Sequence, residues 1–147
     1  MPFYEVGGIS ATAAASSAFF DIAWPTGTGR LRLKELGITN RSASAAAVAF
    51  FRAVTPGVKT VTIAGQAQDK QDSNAIGTCG TTFTTQPTFG SGPPLRRVEI
   101  PAGVGSGVVW TWEIGNEAVL DASQAFDIYN PTGNVEGAFD FWAVWRE

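Results

Sequence analysis

Phe139-Asp140-Phe141-Trp142-Ala143-Val144-Trp145 closes the chain on an alternation of period two, the spacing at which successive side chains of a β-strand point to opposite faces. Phe139, Phe141, Ala143 and Trp145 share one face, and Asp140, Trp142 and Val144 share the other. Trp142 and Trp145 are therefore expected on opposite sides of one strand, with apolar surroundings on both. The same beat recurs upstream. Val108, Trp110 and Trp112 alternate with Val109, Thr111 and Glu113; Val61 and Ile63 alternate with Thr60 and Thr62; Leu31 and Leu33 alternate with Arg30, Arg32 and Lys34.

Turn-forming clusters separate these runs: Gly7-Gly8, Pro25-Thr26-Gly27, Pro56-Gly57, Gly90-Ser91-Gly92-Pro93-Pro94, Gly103 to Gly107 and Asn130-Pro131-Thr132-Gly133. Proline and glycine at such short intervals leave little room for helices. The pattern predicts strands near residues 3–6, 17–24, 30–38, 46–53, 59–64, 81–85, 95–100, 108–114, 125–129 and 137–145. Many short strands with frequent turns point to an all-β fold, an antiparallel, jelly-roll-like β-sandwich. At 147 residues the chain fits one domain, long enough to bury a core without disulfides or metal. Residues 1–16 read as an N-terminal extended arm or edge strand, and 17–147 as the sandwich.

Two stretches bend the pattern. Ser42 to Val54 is alanine-rich and opens on serines that could cap a helix. Strand is preferred, because Val48-Ala49-Phe50-Phe51 places its bulk at β-branched and aromatic positions and Pro56-Gly57 follows as a turn. From Arg30 to Thr39 the alternation slips, Leu31 and Leu33 falling on one parity and Leu36 and Ile38 on the other. A bulge near Glu35 or Gly37 would restore a single buried face.

Histidine is absent, which excludes Ser-His-Asp and Cys-His catalysis, imidazole metal sites and histidine pH switches. The lone Cys79 lies in a loop-like Gly77-Thr78-Cys79-Gly80 setting and reads as an incidental thiol. A net charge of −3 with only 16% charged residues offers no basic stripe for nucleic acid. No positively charged leader precedes Arg30, and the longest apolar run, Ala45 to Phe51, is far too short to span a membrane. Asn40-Arg41-Ser42 matches the glycosylation pattern and reads as chance.

Carboxylate pairs are the remaining acid/base equipment, with Asp69 and Asp72 in the polar stretch Gly65–Gly80, which reads as an exposed loop, and Glu113 and Glu117 around a turn. Neither spacing shows two acids facing across a cleft. Asp69-Lys70-Gln71-Asp72-Ser73-Asn74 lacks the acid pattern of a calcium loop, and Gly103-Val104-Gly105-Ser106-Gly107 runs into a strand rather than the helix N-terminus a phosphate needs. No catalytic, cofactor-binding or metal-ligating residue is assigned.

Several strings resemble small virion-associated structural proteins of tailed bacteriophages: Arg30-Leu31-Arg32-Leu33-Lys34-Glu35-Leu36-Gly37-Ile38-Thr39, Gly65-Gln66-Ala67-Gln68-Asp69, Thr84-Thr85-Gln86-Pro87-Thr88, and Leu95 through Trp112 with its Ile100-Pro101-Ala102-Gly103 turn. The closing Phe141-Trp142-Ala143-Val144-Trp145-Arg146-Glu147 is similar in character. The resemblance implies a noncatalytic capsid decoration or cement protein, made in the bacterial cytoplasm and carried on the capsid exterior of the virion. Its expected partners are the major capsid protein and its own copies, as a homo-oligomer with a trimer favoured, and neither nucleic acid nor membrane. Phe3, Tyr4, Val6, Ile9, Trp142 and Trp145 are the expected interface residues, since exposed aromatic and aliphatic patches mark interaction sites. The rival reading is a carbohydrate-binding sandwich of the tail or host-attachment apparatus, using Trp and Tyr faces as sugar platforms.

Overall fold

A computed structural model describes residues 1–25 and 27–147. Thr26, in the expected turn at Pro25-Thr26-Gly27, lies outside the described residues. Strands run β1 Phe3–Ile9, β2 Ala18–Trp24, β3 Leu31–Asn40, β4 Ala46–Arg52, β5 Val58–Ala64, β6 Gln66–Ala67, β7 Thr78–Thr85, β8 Arg96–Ile100, β9 Gly107–Thr111, β10 Ala118–Leu120, β11 Gln124–Tyr129 and β12 Phe139–Arg146. All ten expected strands are present, with the short β6 and β10 in addition. Ser42–Val54 contains β4 rather than a helix.

The strands form two antiparallel six-stranded sheets packed as a sandwich. Sheet A has the order β10-β3-β12-β1-β6, with β9 beside β10 on the same edge of β3; sheet B has the order β5-β7-β2-β11-β4-β8. The expected bulge lies on β3, where Val144 faces Glu35 and Trp145 faces Leu33. Lys34 is the extra residue. It resets the alternation, so that Leu31, Leu33, Leu36 and Ile38 all reach the core.

A second bulge shapes β2. Ile128 of β11 faces Phe20 and Tyr129 faces Ala18, which leaves Phe19 unpaired and turned inward beside Phe20. Phe19 then meets Phe139 edge-on at 4.8 Å and Phe20 stacks on Phe141 at 4.0 Å, ring separations that add to burial alone. These contacts join the two sheets. Phe50, Phe126, Ile22, Tyr4 and Trp145 complete the interior.

Burial on both faces was expected for the C-terminal strand, and the structure assigns it to β2 instead. Every residue of β2 is buried, whereas β12 alternates buried and half-buried along its length. The reason lies in the connections. Ala53–Gly57 runs from the Arg52 end of β4 to β5, and residues 86–95 run from β7 to β8 on the opposite edge. Both cross the outer face of sheet B. They meet there, with Val54 N–H donating to Thr88 O at 2.8 Å and Thr88 N–H to Thr55 O at 3.0 Å. Phe89 settles against Phe51 and Tyr129.

The outer face of sheet A has no such cover. Residues 1–16 do not cover it; they are fastened into the sandwich itself. β1 pairs with β12 from Phe3 to Ile9, Ser10 N–H donates to Phe139 O, and the Asn130 amide donates to the carbonyls of Ala13 and Ala14. On its other side β1 meets β6 only at Tyr4 and Glu5. Among the described residues, no strand pairs with the edge of β1 from Val6 to Ile9, although the Ile63 side chain of β5 packs close to Gly8.

Candidate functional site

The expected interface residues separate into two groups. Tyr4, Val6 and Trp145 belong to the core, at 1%, 5% and 0% exposure, and have no surface to offer a partner. Trp145 stacks on Tyr4 and its indole N–H donates to Glu147 Oε1 at 2.9 Å. Ile9 is 53% exposed, and Phe3 and Trp142 are half-buried. Only these three can take part in an outward contact.

Trp142 lies flat on sheet A. Its ring covers Gly37 of β3, where a Cβ would fall inside the indole; glycine is needed there for this close approach. The indole N–H donates to Glu35 Oε1 at 2.7 Å, which fixes the ring in its plane. One ring face rests on the sheet and the other points outward. Beside it a groove of about 450 Å³ runs along the unpaired edge of β1, lined by Glu5, Gly7, Ile63, Gln66, Trp142 and Val144 among others. Asp140, two residues before Trp142 on the same face of β12, pairs with Arg41 at 2.7 Å.

A second constellation lies on the covered face of sheet B. Asp21 of β2 and Asp127 of β11 are directly opposed in register, and both are fully buried. Asp21 Oδ1 accepts the Gly80 N–H at 2.7 Å and lies 3.0 Å from Lys59 Nζ. The Lys59 stem crosses Gly80, where a Cβ would collide with it. Asp21 Oδ2 and both oxygens of Asp127 have no hydrogen-bond partner. Burial pushes the Asp21 carboxyl up to about 6 against the opposing pull of Lys59 and Gly80. Burial, and then the neighbouring Asp21, hold Asp127 well above the usual carboxylate range.

The other sequence candidates have structural roles. Cys79 is in β7 rather than a loop, and burial raises its thiol far out of the reactive range. Burial opposes the charge of Glu117, but backbone N–H groups and Arg146, 2.6 Å away, outweigh it and lower the carboxyl below its usual value. Asp69 caps its own turn by accepting the Gln71 N–H. Asn40 is 2% exposed and its amide donates to Ser44 O, so it is closed to glycosylation. In the Gly103–Gly107 turn the Gly105 and Ser106 amides donate to Asn40 O and Gly103 O, which leaves neither for a phosphate. Among the described residues no three His, Cys, Asp or Glu side chains gather as a metal-ligand set.

Sequence reading missed the Asp21–Asp127 pair because it sought acids close together in the chain. The available signal was a lone acid inside an apolar strand, twice in the same words: Phe20-Asp21-Ile22 and Phe126-Asp127-Ile128. No family model, no curated protein and no solved structure matches the chain.

Proposed function

We propose that the protein is a noncatalytic structural protein of a phage particle, a capsid decoration protein that docks on the assembled shell through the outer face of sheet A. The observation that carries this reading is the flat, outward-facing Trp142 beside a groove along an unpaired strand edge. An extended segment of the major capsid protein, or of a neighbouring copy, can add to such an edge by main-chain hydrogen bonds, with side chains entering the groove. A clamped tryptophan loses little freedom on contact, which favours it as an anchor. Binding only the intact lattice would stabilise the shell by mass action. The resemblance to phage structural proteins points the same way.

The test is co-sedimentation of the purified protein with empty capsids, followed by electron microscopy of decorated particles. Copies over the whole head are expected, with Trp142→Ala and Ile9→Lys lowering occupancy at unchanged thermal midpoint. Copies confined to one vertex, or full occupancy by both variants, would overturn it. One observation favours the carbohydrate-binding reading as the second. An indole with one open face, next to the Glu5 carboxylate and the Gln66 amide, has the apolar platform and polar neighbours that a sugar ring uses. Retention of a glycan by the wild type and not by Trp142→Ala would establish it.

A further inference from the structure

The covered face of sheet B places two opposed, fully buried carboxylates beside a single ammonium group. Directly opposed residues of an antiparallel pair have Cβ atoms about 4.5–5.5 Å apart, within reach of a carboxyl–carboxylate contact. Lys59 neutralises one negative charge, and Asp21 takes it. Nothing neutralises a second. Among the described residues β4 faces Asp127 with Phe51, β7 contributes Thr78 and Gly80, and Cys79 points into the core on the other side of the sheet. The crossing segments, residues 53–57 and 86–95, carry no charged side chain. An unpaired buried carboxylate is costly enough that the group takes up a proton instead. Three unpartnered oxygens remain, one on Asp21 and two on Asp127, and one proton between the carboxyls partners two of them, Asp21 Oδ2 and one oxygen of Asp127.

We propose that Asp21 and Asp127 hold one proton between them, carried by Asp127 and donated to Asp21 Oδ2, and that this shared proton fastens the two crossing segments over sheet B. At pH 7 Asp21 is ionised against Lys59 and Asp127 is neutral as the O–H donor; near pH 5 Asp21 takes up a proton as well, its carboxyl being raised to about 6. The upward direction of both carboxyls agrees with this assignment. In alkali the proton leaves, two like charges face each other under the cover, and the cover loosens. The unfolded chain gives up these protons near pH 4. The stabilisation is thus fully present below that value and is lost as pH rises through the folded pKa of the pair.

Three measurements on the full chain test this. The carboxyl carbon of Asp127, assigned by through-bond correlation in labelled wild-type protein, should show the neutral form at pH 7. The thermal midpoint of the wild type should fall by several degrees between about pH 5 and pH 9. In Asp127→Asn, whose amide donates in place of the O–H and does not titrate, most of that fall should vanish. Protection of the Val54 and Thr88 amides from exchange, corrected for intrinsic pH dependence, should drop toward pH 9 in the wild type only. An ionised Asp127 at pH 7 overturns the proposal, and it decides alone if the variant does not fold. An unchanged slope in Asp127→Asn, or protection indifferent to pH, also overturns it. So does a midpoint that falls in chelator and recovers with calcium, since a metal ion would then occupy the proton's place.

Discussion

Sheet A shows solvent a face that carries Trp142, Val144 and Ile9, whereas the corresponding face of sheet B, with Asp21, Ala23, Ala125 and Asp127, lies under two crossing segments of chain. The residues suit these fates. Alanines at 23, 53 and 125 let the cover approach closely, while the open face keeps its largest ring flat over a glycine. Connectivity decides which sheet is covered. Strands β4 and β5, and again β7 and β8, stand far apart across sheet B although consecutive in the chain. Their links must cross that sheet, and its inner side is filled by the core. Covering one face with loops leaves the other free for a partner.

The sharpest way to break this comparison is to place the same charge on both faces. Ala125→Glu puts a carboxylate under the cover, on the same strand face as Asp127, and is expected to destabilise by about 3 kcal/mol or more. Val144→Glu, on the open face, should change stability by about 1 kcal/mol or less. Equal effects in urea titrations would mean that the cover is not packed. Lys59→Met comes next. Above about pH 7 it strands the Asp21 charge and should cost about 2–3 kcal/mol. Near pH 5 Asp21 is largely protonated, its carboxyl being raised to about 6, and the cost should shrink. Melts at the two pH values read the difference. Glu117 acts in the opposite sense, because its lowered carboxyl stabilises at neutral pH and that contribution is lost only as pH falls through its folded value.

Phe89→Ala removes the ring that anchors the second crossing segment, 4.2 Å from Tyr129 and 5.2 Å from Phe51. The ring is half-buried, so the loss should be about 2 kcal/mol, below the range for a fully buried phenylalanine. Amide exchange at Thr88 should quicken, while that of β12 should not. The smallest effect on stability is expected from Gly37→Ala, about 1 kcal/mol or less, since the indole can lift into solvent rather than strain the core. The lift breaks the Trp142–Glu35 hydrogen bond. A red shift of tryptophan emission, together with weaker capsid binding, would tie the open face to docking; unchanged binding would separate them.

Much of the fold was legible in the sequence because strand alternation is a local property. Leu31 to Ile38 announced a bulge by slipping parity, and Lys34 supplies it. Trp142 and Trp145 divided correctly between two faces, since three residues along a regular strand reverse direction. Their surroundings were not legible. Apolar character alone made Tyr4, Val6 and Trp145 look like interface residues, and pairing in the middle of sheet A made them core. The polar stretch from Gly65 to Gly80 read as loop, yet its ends supply β6 and the start of β7, where short polar strands are held by neighbours rather than by their own pattern.

By itself the sequence determined the all-β character, the ten principal strands and the absence of histidine chemistry, because composition and a period of two act residue by residue along the chain. Only the tertiary structure decided that Asp21 faces Asp127, that Trp142 lies on Gly37, and that one sheet is covered while the other is open. Each of these depends on register between strands distant in sequence, and register is set by how the whole sandwich fills its core rather than by any stretch of residues read alone.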